Sequence, residues 1–479
     1  MSKLGKKWDE TPLSVKAATA YTISNILLKG LSFITMPLFT SLLTKEQYGQ
    51  YTVYQSWSGI LTILLTLNLA YGSFSRAMIR FEDRRDRYLS SVQGICTALT
   101  VVFLLIYLPF MGFFNQLFEL PTGLVLVMVT EILAHNSVLL WTGKKRFEYK
   151  YKSVVFLTLA ISLISPLLAF LLVISHTEKG YMRILGYAIP TIAAGAFLYI
   201  LNQFRGKAFF DKELWKYALG FNVPLLLYYL SQTIFNQSDR IMISHIEGTD
   251  KAALYGVAYN LAMLMTLVLT ALNNSYVPWF YGKLKDGRQK ENRTVSTLIA
   301  LIMSLAIIFV VWFAPEIITV MTAASGYEEA IAVVPPVAAS LLLLYYSQLF
   351  INVEFYYERK RSLAISSIFA AVLNIVLNAL LIPVYGFVAA GYTTLFSYLV
   401  FAGANYIAMR LILKKEGVAD DFYDYKMLML ILLIFVAASA LGMALYGYLI
   451  PRIIVTLLVL SVMIVFRKRL FGVLKTIKD

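Results

Sequence analysis

The sequence predicts an all-α integral membrane protein with about fourteen transmembrane helices, and two observations carry that reading. Long apolar stretches fill nearly the whole chain, and the Lys and Arg residues between them fall almost entirely in every second connection. A hydrocarbon core about 30 Å thick takes roughly 20 apolar residues to cross as a helix, and at least twelve of the stretches clear that length. In order, the spans run near residues 17–43, 49–72, 88–114, 120–142, 151–175, 181–203 and 217–245, then 250–278, 294–322, 328–353, 362–383, 387–410, 427–449 and 451–467. Of the 42 Lys and Arg, 35 lie in the N-terminal segment, the even-numbered connections and the C-terminal segment or at the span ends that border them. The opposite side holds Lys45, Lys179, Arg183, Lys251 and Arg452 in its connections or at span ends, and only Lys29 and Arg240 fall deep in span interiors. Cytoplasmic loops retain Lys and Arg, so both termini are expected in the cytoplasm.

The same distribution accounts for the net charge of +15. Cations spread over short loops are topology signals and contacts to anionic head groups, not a nucleic-acid surface. Trp141, Trp215 and Trp279 fall at cytoplasmic span ends, where amphipathic rings favour the interface. Cys96 is the one cysteine and the histidines are His135, His176 and His245, so neither a disulfide within the chain nor a metal cluster is expected. The N-terminal MSKLGKKWDETPLSVK is basic, but the apolar stretch after it is too long for a signal h-region, and it is expected to stay as the first helix. Connections are short, and no P-loop, GxGxxG, HExxH or nucleophile elbow occurs, which argues against an enzyme and against any cofactor.

An internal echo links two helix pairs. SLLTKEQYGQYTVYQSWSGILTILLTL and SHIEGTDKAALYGVAYNLAMLMTLVLTAL both place Tyr-Gly, at Tyr48-Gly49 and Tyr255-Gly256, at the head of the second helix. The two sites are six spans apart and so share an orientation, as parallel repeats would. A third Tyr-Gly, Tyr385-Gly386, is read at the head of span twelve.

Polar groups inside the bilayer need a reason, because a mid-span Lys, Arg or Asp costs roughly 2.5 to 3.5 kcal/mol on insertion scales. Lys29 lies mid-span with Asn25 one turn earlier on the same face. Gln232, Asn236, Asp239 and Arg240 form one stripe of span seven. Similar stripes are Tyr51, Gln55, Ser58 and Thr62; Tyr259, Thr266, Thr270 and Asn273; Tyr345, Gln348 and Asn352; and Asn374 with Asn378. Arranged around a cleft they would line a hydrated chamber. Each also has a plain structural reading. Asp239 and Arg240 can snorkel and bond a neighbour, and the Asn, Ser and Thr positions can be interhelical glue. Glu131 and His135, four apart, can be a buried pair or an ion-coupling site. Arg76, Arg80, Arg84, Arg85 and Arg87 read as a solvated topology cluster, with Arg76 and Arg80 near enough to the membrane to guide an anionic head group.

The segments from Lys29-Gly30 through Pro37, Ser41 to Thr44 and Tyr48-Gly49, then Asp239-Arg240, Gly248 and Tyr255-Gly256, then LNIVLNALLIPVYGFVAAGYTTLFSYLV from Leu373 to Val400, resemble the O-antigen and capsule-type repeat-unit flippases of the multidrug/oligosaccharidyl-lipid/polysaccharide exporter superfamily. The likeness runs essentially the full length, and two extra C-terminal spans resemble the fourteen-span branch that includes lipid II flippases. It implies two six-helix lobes at 17–203 and 217–413 in a V, joined by a cytoplasmic linker at 204–216. A cytoplasmic segment at 1–16 precedes them, and two further helices with a tail occupy 414–479. It also implies a bacterial inner-membrane protein that turns undecaprenyl diphosphate-linked oligosaccharide to the outer leaflet by alternating access, with H+ or Na+ and polymerase or glycosyltransferase neighbours as further partners. Lys29 and Arg240 would then pair with the diphosphate, because unpaired charge in a low-dielectric chamber is very costly. Asp239 would tune Arg240 or couple to an ion, while Asn25, Gln232, Asn236, Tyr259 and Asn273 contact sugar hydroxyls. The alternatives are a multidrug/cation antiporter of the superfamily, a lipid II-type flippase, and a membrane scaffold for polysaccharide-assembly enzymes.

Overall fold

Apolar runs longer than a bilayer is thick can satisfy their backbone in hydrocarbon only as helices or closed barrels, and here they are helices. The computed structural model describes residues 12–323 and 326–465, and every regular element among them is helical. In chain order these are α1 (Leu13–Leu42), α2 (Lys45–Thr66), α3 (Phe74–Arg80), α4 (Arg85–Tyr107), α5 (Met111–Phe118), α6 (Thr122–Phe147), α7 (Tyr151–Ser175), α8 (Lys179–Gly206), α9 (Lys212–Asn222) and α10 (Leu226–Glu247). They continue as α11 (Thr249–Met263), α12 (Met265–Lys285), α13 (Asn292–Trp312), α14 (Ala314–Thr322), α15 (Val334–Tyr356), α16 (Lys360–Tyr385), α17 (Val388–Glu416), α18 (Tyr425–Ala444) and α19 (Leu449–Val465).

Each of the fourteen predicted windows holds a helix, but eleven helical stretches among the described residues are long and apolar enough to cross a membrane. The other three windows are α1, α2 and α19. The polar stripe of α2 lowers its hydropathy, and α1 and α19 contain side chains outside the described residues. The short α3, α5, α9 and α14 were not separated from the spans by hydropathy.

Local signals explain the element ends. Thr44 and Gln47 form a reciprocal capping box at the start of α2, each side chain bonding the other's backbone at 3.2 Å. Asp211 caps α9. Tyr48-Gly49 and Tyr255-Gly256 lie in the early turns of α2 and α11, as the echo predicts. Tyr385 instead ends α16, and Gly386 follows with φ +77° as its cap, so the third Tyr-Gly is not equivalent.

The chain forms two compact units: Met1–Ala253 with Met321–Ala323, and Leu254–Val320 with Ala324–Asp479. In the first, α8 packs against α6 and α7, α1 against α7, and α10 against α2. Glycines permit the closest approaches, since a Cβ on Gly195 or Gly186 would overlap the backbone of Ala134 or Ala169. In the second, α17 packs against α15 and α16, and α18 against α13. Phe156, Leu163 and Leu167 of α7 and Leu430, Leu433 and Ile434 of α18 stand exposed, as lipid-facing positions do. The protein is therefore a multi-pass membrane protein.

Candidate functional site

Within the first unit, five helices leave a cavity of about 320 Å³ whose polar lining includes Thr35, Gln55, Glu131, Ser162, Ser165, Tyr187 and Thr191. α1, α2, α6, α7 and α8 contribute one or two of these each. Among the described residues, hydroxyls, one amide and one carboxylate face this space, with no cation in the lining. Glu131 accepts a 2.7 Å hydrogen bond from Tyr54 Oη, which fixes its carboxylate at the wall. The i, i+4 spacing put His135 on the same face, but its ring lies exposed on α6 and does not line the cavity. Of the α2 stripe, Gln55 reaches the cavity, whereas Thr62 bonds back to Ser58 O at 2.7 Å.

One turn of α8 above Tyr187 sits Arg183, a residue counted from sequence as belonging to the outer side. It is 4% exposed. Its guanidinium lies over the rings of Tyr51, Tyr48 and Phe39, at 3.9, 4.2 and 4.7 Å from their centroids. Its Nε and Nη1 have no hydrogen-bond partner among the described residues. The signal was available: Arg183 falls inside the apolar window 181–203, with Tyr187 at i+4. A second such cation is Arg452 of α19, also counted as an outer-side residue. It is fully buried and satisfied, forking onto both carboxylate oxygens of Glu316 at 2.6 and 2.8 Å and reaching the Tyr446 carbonyl at 3.1 Å.

The α10 stripe is held by packing. Asp239 and Arg240 are buried, and Arg240 Nη1 donates to Gln237 Oε1 at 2.6 Å. Gln237 in turn lies against Gly59 of α2. Asn236 Nδ2 donates to Gln232 O at 2.7 Å, and both side chains are half-buried. The side chains of Asn25 and Lys29 lie outside the described residues. Tyr259 and Asn273 belong to the second unit, where Tyr259 is buried beside Tyr255 and Asn273 donates to Gln348 Oε1. Asn374, Asn378, Thr393 and Thr394 bond one another between α16 and α17, which is the interhelical-glue reading. Arg76 and Arg80 are exposed on α3.

Residues 14–282 match the family model "Polysaccharide biosynthesis protein", and residues 224–380 match "MatE". The "Lsg locus putative protein 1" of Haemophilus influenzae is 23% identical over 279 residues, covering 57% of this chain and 67% of that protein. An "Uncharacterized membrane protein" of the same organism is 22% identical over 288 residues, covering 58% and 67%. Among solved structures, the lipid II flippase MurJ in an inward closed conformation superposes with TM-score 0.66 at 13% identity, covering 94% of this chain and 99% of that one. An inward-facing multidrug resistance MATE family transporter of the MOP superfamily gives TM-score 0.58 at 14% identity, covering 83% and 98%.

Proposed function

Because the chain belongs to the polysaccharide biosynthesis protein family, a branch of the flippase and transporter superfamily whose fold it shares, we propose that its cargo is a polyprenyl diphosphate-linked oligosaccharide. It moves this lipid from the cytoplasmic to the outer leaflet of a bacterial inner membrane by alternating access, with both termini cytoplasmic. The observation that carries the reading is the cavity walled by Thr35, Gln55, Glu131, Ser162, Tyr187 and Thr191. Donors and acceptors of this kind, beside the Tyr187 ring, suit a saccharide better than an apolar drug. Its volume, about 320 Å³, is near the lower end of ligand-pocket sizes, so it takes one sugar-sized portion of the cargo.

Lys29 and Arg240 are proposed to meet the diphosphate. Arg240 is covered where α10 packs on α2, so its guanidinium becomes available when those helices part. Gln232, Asn236, Tyr259, Asn273 and Asn25 are the proposed sugar contacts. Glu131, the one carboxylate in the cavity among the described residues, is the proposed site for a coupling H+ or Na+. The same carboxylate is what a cationic drug would seek, and this favours the antiporter as the second reading.

Flipping of a fluorescent polyprenyl diphosphate-linked sugar in proteoliposomes decides between them. The native protein is expected to flip it and Lys29→Ala to lose that activity at unchanged abundance. Efflux of a cationic dye without any lipid flipping would replace this reading with the antiporter.

A further inference from the structure

α3 and α9 lie side by side in the first unit in a fixed antiparallel register. Arg84, just past α3, forks onto the Glu213 carboxylate at 3.1 and 3.2 Å. One turn back, the Arg80 guanidinium lies 5.2 Å from the Tyr217 ring centroid, and Arg76 lies 5.4 Å from that of Phe221. Each residue of one strip is four from the next, so the three arginines and their three partners form a ladder. Asn222 Nδ2 bonds Ser73 Oγ at 2.8 Å and ties the far end together.

The rungs differ in charge. Arg84 is matched by Glu213, Arg85 by Glu82 at 3.1 Å, Arg87 by Asp211 at 2.8 Å, and Lys144 by Asp86 at 2.6 Å. Among the described residues Arg76 and Arg80 reach rings and no carboxylate. An aromatic face leaves the edge of a guanidinium free, so its N–H donors remain available to an anion. Exposed apolar side chains stand on the same short helix and just before it: Ile79 of α3 is 69% exposed and Tyr71 63%. That combination of bare cations among exposed hydrocarbon belongs at the head-group level of a membrane, on the side rich in Lys and Arg.

We propose that Arg76 and Arg80 form a loading dock that captures the diphosphate of the polyprenyl-linked cargo from the cytoplasmic leaflet before transport. This rests on the flippase reading above. Two guanidiniums one helical turn apart, about 5–6 Å between Cβ atoms, can each take one phosphate of a diphosphate in a forked contact. A phospholipid with a single phosphodiester engages only one of them, and the diphosphate carries more charge.

The test uses full-length protein in phosphatidylcholine nanodiscs with farnesyl diphosphate as the probe and farnesyl monophosphate and phosphatidylglycerol as competitors. The native protein is expected to prefer the diphosphate over the monophosphate about tenfold, and R76A/R80A to weaken diphosphate binding about tenfold. R76K/R80K keeps both charges without the fork and is expected to fall between. Glu213→Gln releases Arg84 from its carboxylate and is expected to tighten binding about threefold, an effect that misfolding cannot produce. Binding by R76A/R80A within twofold of native, a Glu213→Gln without gain, or phosphatidylglycerol competing as well as the diphosphate overturns the dock. If the native protein flips the fluorescent lipid while R76A/R80A binds normally, the dock alone falls. If the native protein neither binds the probe nor flips the lipid, both readings fall.

Discussion

Arg183 shows what burial asks of a single charged side chain. Three ring faces replace its water, and a cation over a desolvated aromatic face is worth about 2 kcal/mol or more, but two of its nitrogens stay unbonded among the described residues. Replacing a buried, incompletely satisfied charge by an apolar side chain of similar length is often neutral or stabilising. Arg183→Met is therefore expected to unfold within a few degrees of native, or above it, in a thermal scan, while lipid flipping falls at least tenfold. Flipping that survives intact would reduce Arg183 to packing. Arg183→Lys fits the cage poorly, since an ammonium stacks on rings less well than a planar guanidinium and holds its water more tightly. At this scale the sequence was legible where spacing alone decides the outcome. Helical periodicity put Gln55 and Glu131 on polar faces and both line the cavity, although His135, one turn from Glu131, does not. Periodicity cannot say which neighbour a side chain finds, so it left Asn374 and Asn378 open between a chamber and interhelical glue, and they are bonded across a packed helix interface. Nor could a window boundary show that Arg183 turns inward, because a residue at the head of a span and one in its loop look alike in a hydropathy trace.

Among elements, the end of α6 carries its own pH dependence. Burial alone raises the Glu148 carboxyl, but Lys145, Lys150 and Lys144, at 2.8, 3.1 and 3.2 Å, outweigh it and hold the group at about 2 against an ordinary 4.5. A carboxyl whose folded value is depressed stabilises the fold above the unfolded value and loses that contribution as the pH falls through the folded one. The native protein is thus expected to exceed Glu148→Gln by about 1 to 2 kcal/mol at pH 6. The gap should shrink below pH 4.5 and close toward pH 2, as read from unfolding midpoints in detergent. An equal gap at pH 6 and pH 3 would remove Glu148 as its source. Element positions were readable because apolar length and loop charge both report on the bilayer, and all fourteen windows hold a helix. The short α3, α5, α9 and α14 were merged into neighbouring spans or loops, since an amphipathic helix along the interface has neither the length nor the continuous apolarity that marks a crossing. That is why the ladder between α3 and α9 could not be foreseen, although Arg76 and Arg80 could.

For the whole molecule, the proposed alternating access would require a seal on the outer side that can break, and the first unit contains a contact that could serve as one. Glu119, in the left-handed cap of α5, accepts a hydrogen bond from Ser244 Oγ and lies 3.5 Å from His245 Nδ1, at the last turn of α10. Just after α10 in the chain, Thr249 meets Gly49 of α2 so closely that a Cβ on Gly49 would overlap the Thr249 carbonyl. On the topology proposed from loop charge, both contacts would lie on the side opposite the basic connections. Such a latch holds by a charge-assisted hydrogen bond, worth about 1.5 to 3 kcal/mol, which is enough to bias a two-state equilibrium roughly tenfold or more. Glu119→Gln removes the charge while keeping an acceptor, and is expected to shift the protein toward the state open to the outside. A reporter is easily built, because Cys96 is the one cysteine and is buried, and Cys96→Ser keeps an acceptor for Asn136 Nδ2. In that background Gln55→Cys places a thiol in the cavity wall. An impermeant maleimide added outside intact cells should label it at least threefold faster when Glu119→Gln is present. Gly49→Ala should act in the same direction, because the added methyl pushes α2 off Thr249. Labelling at the same rate with and without Glu119→Gln would show that the outer side is sealed elsewhere.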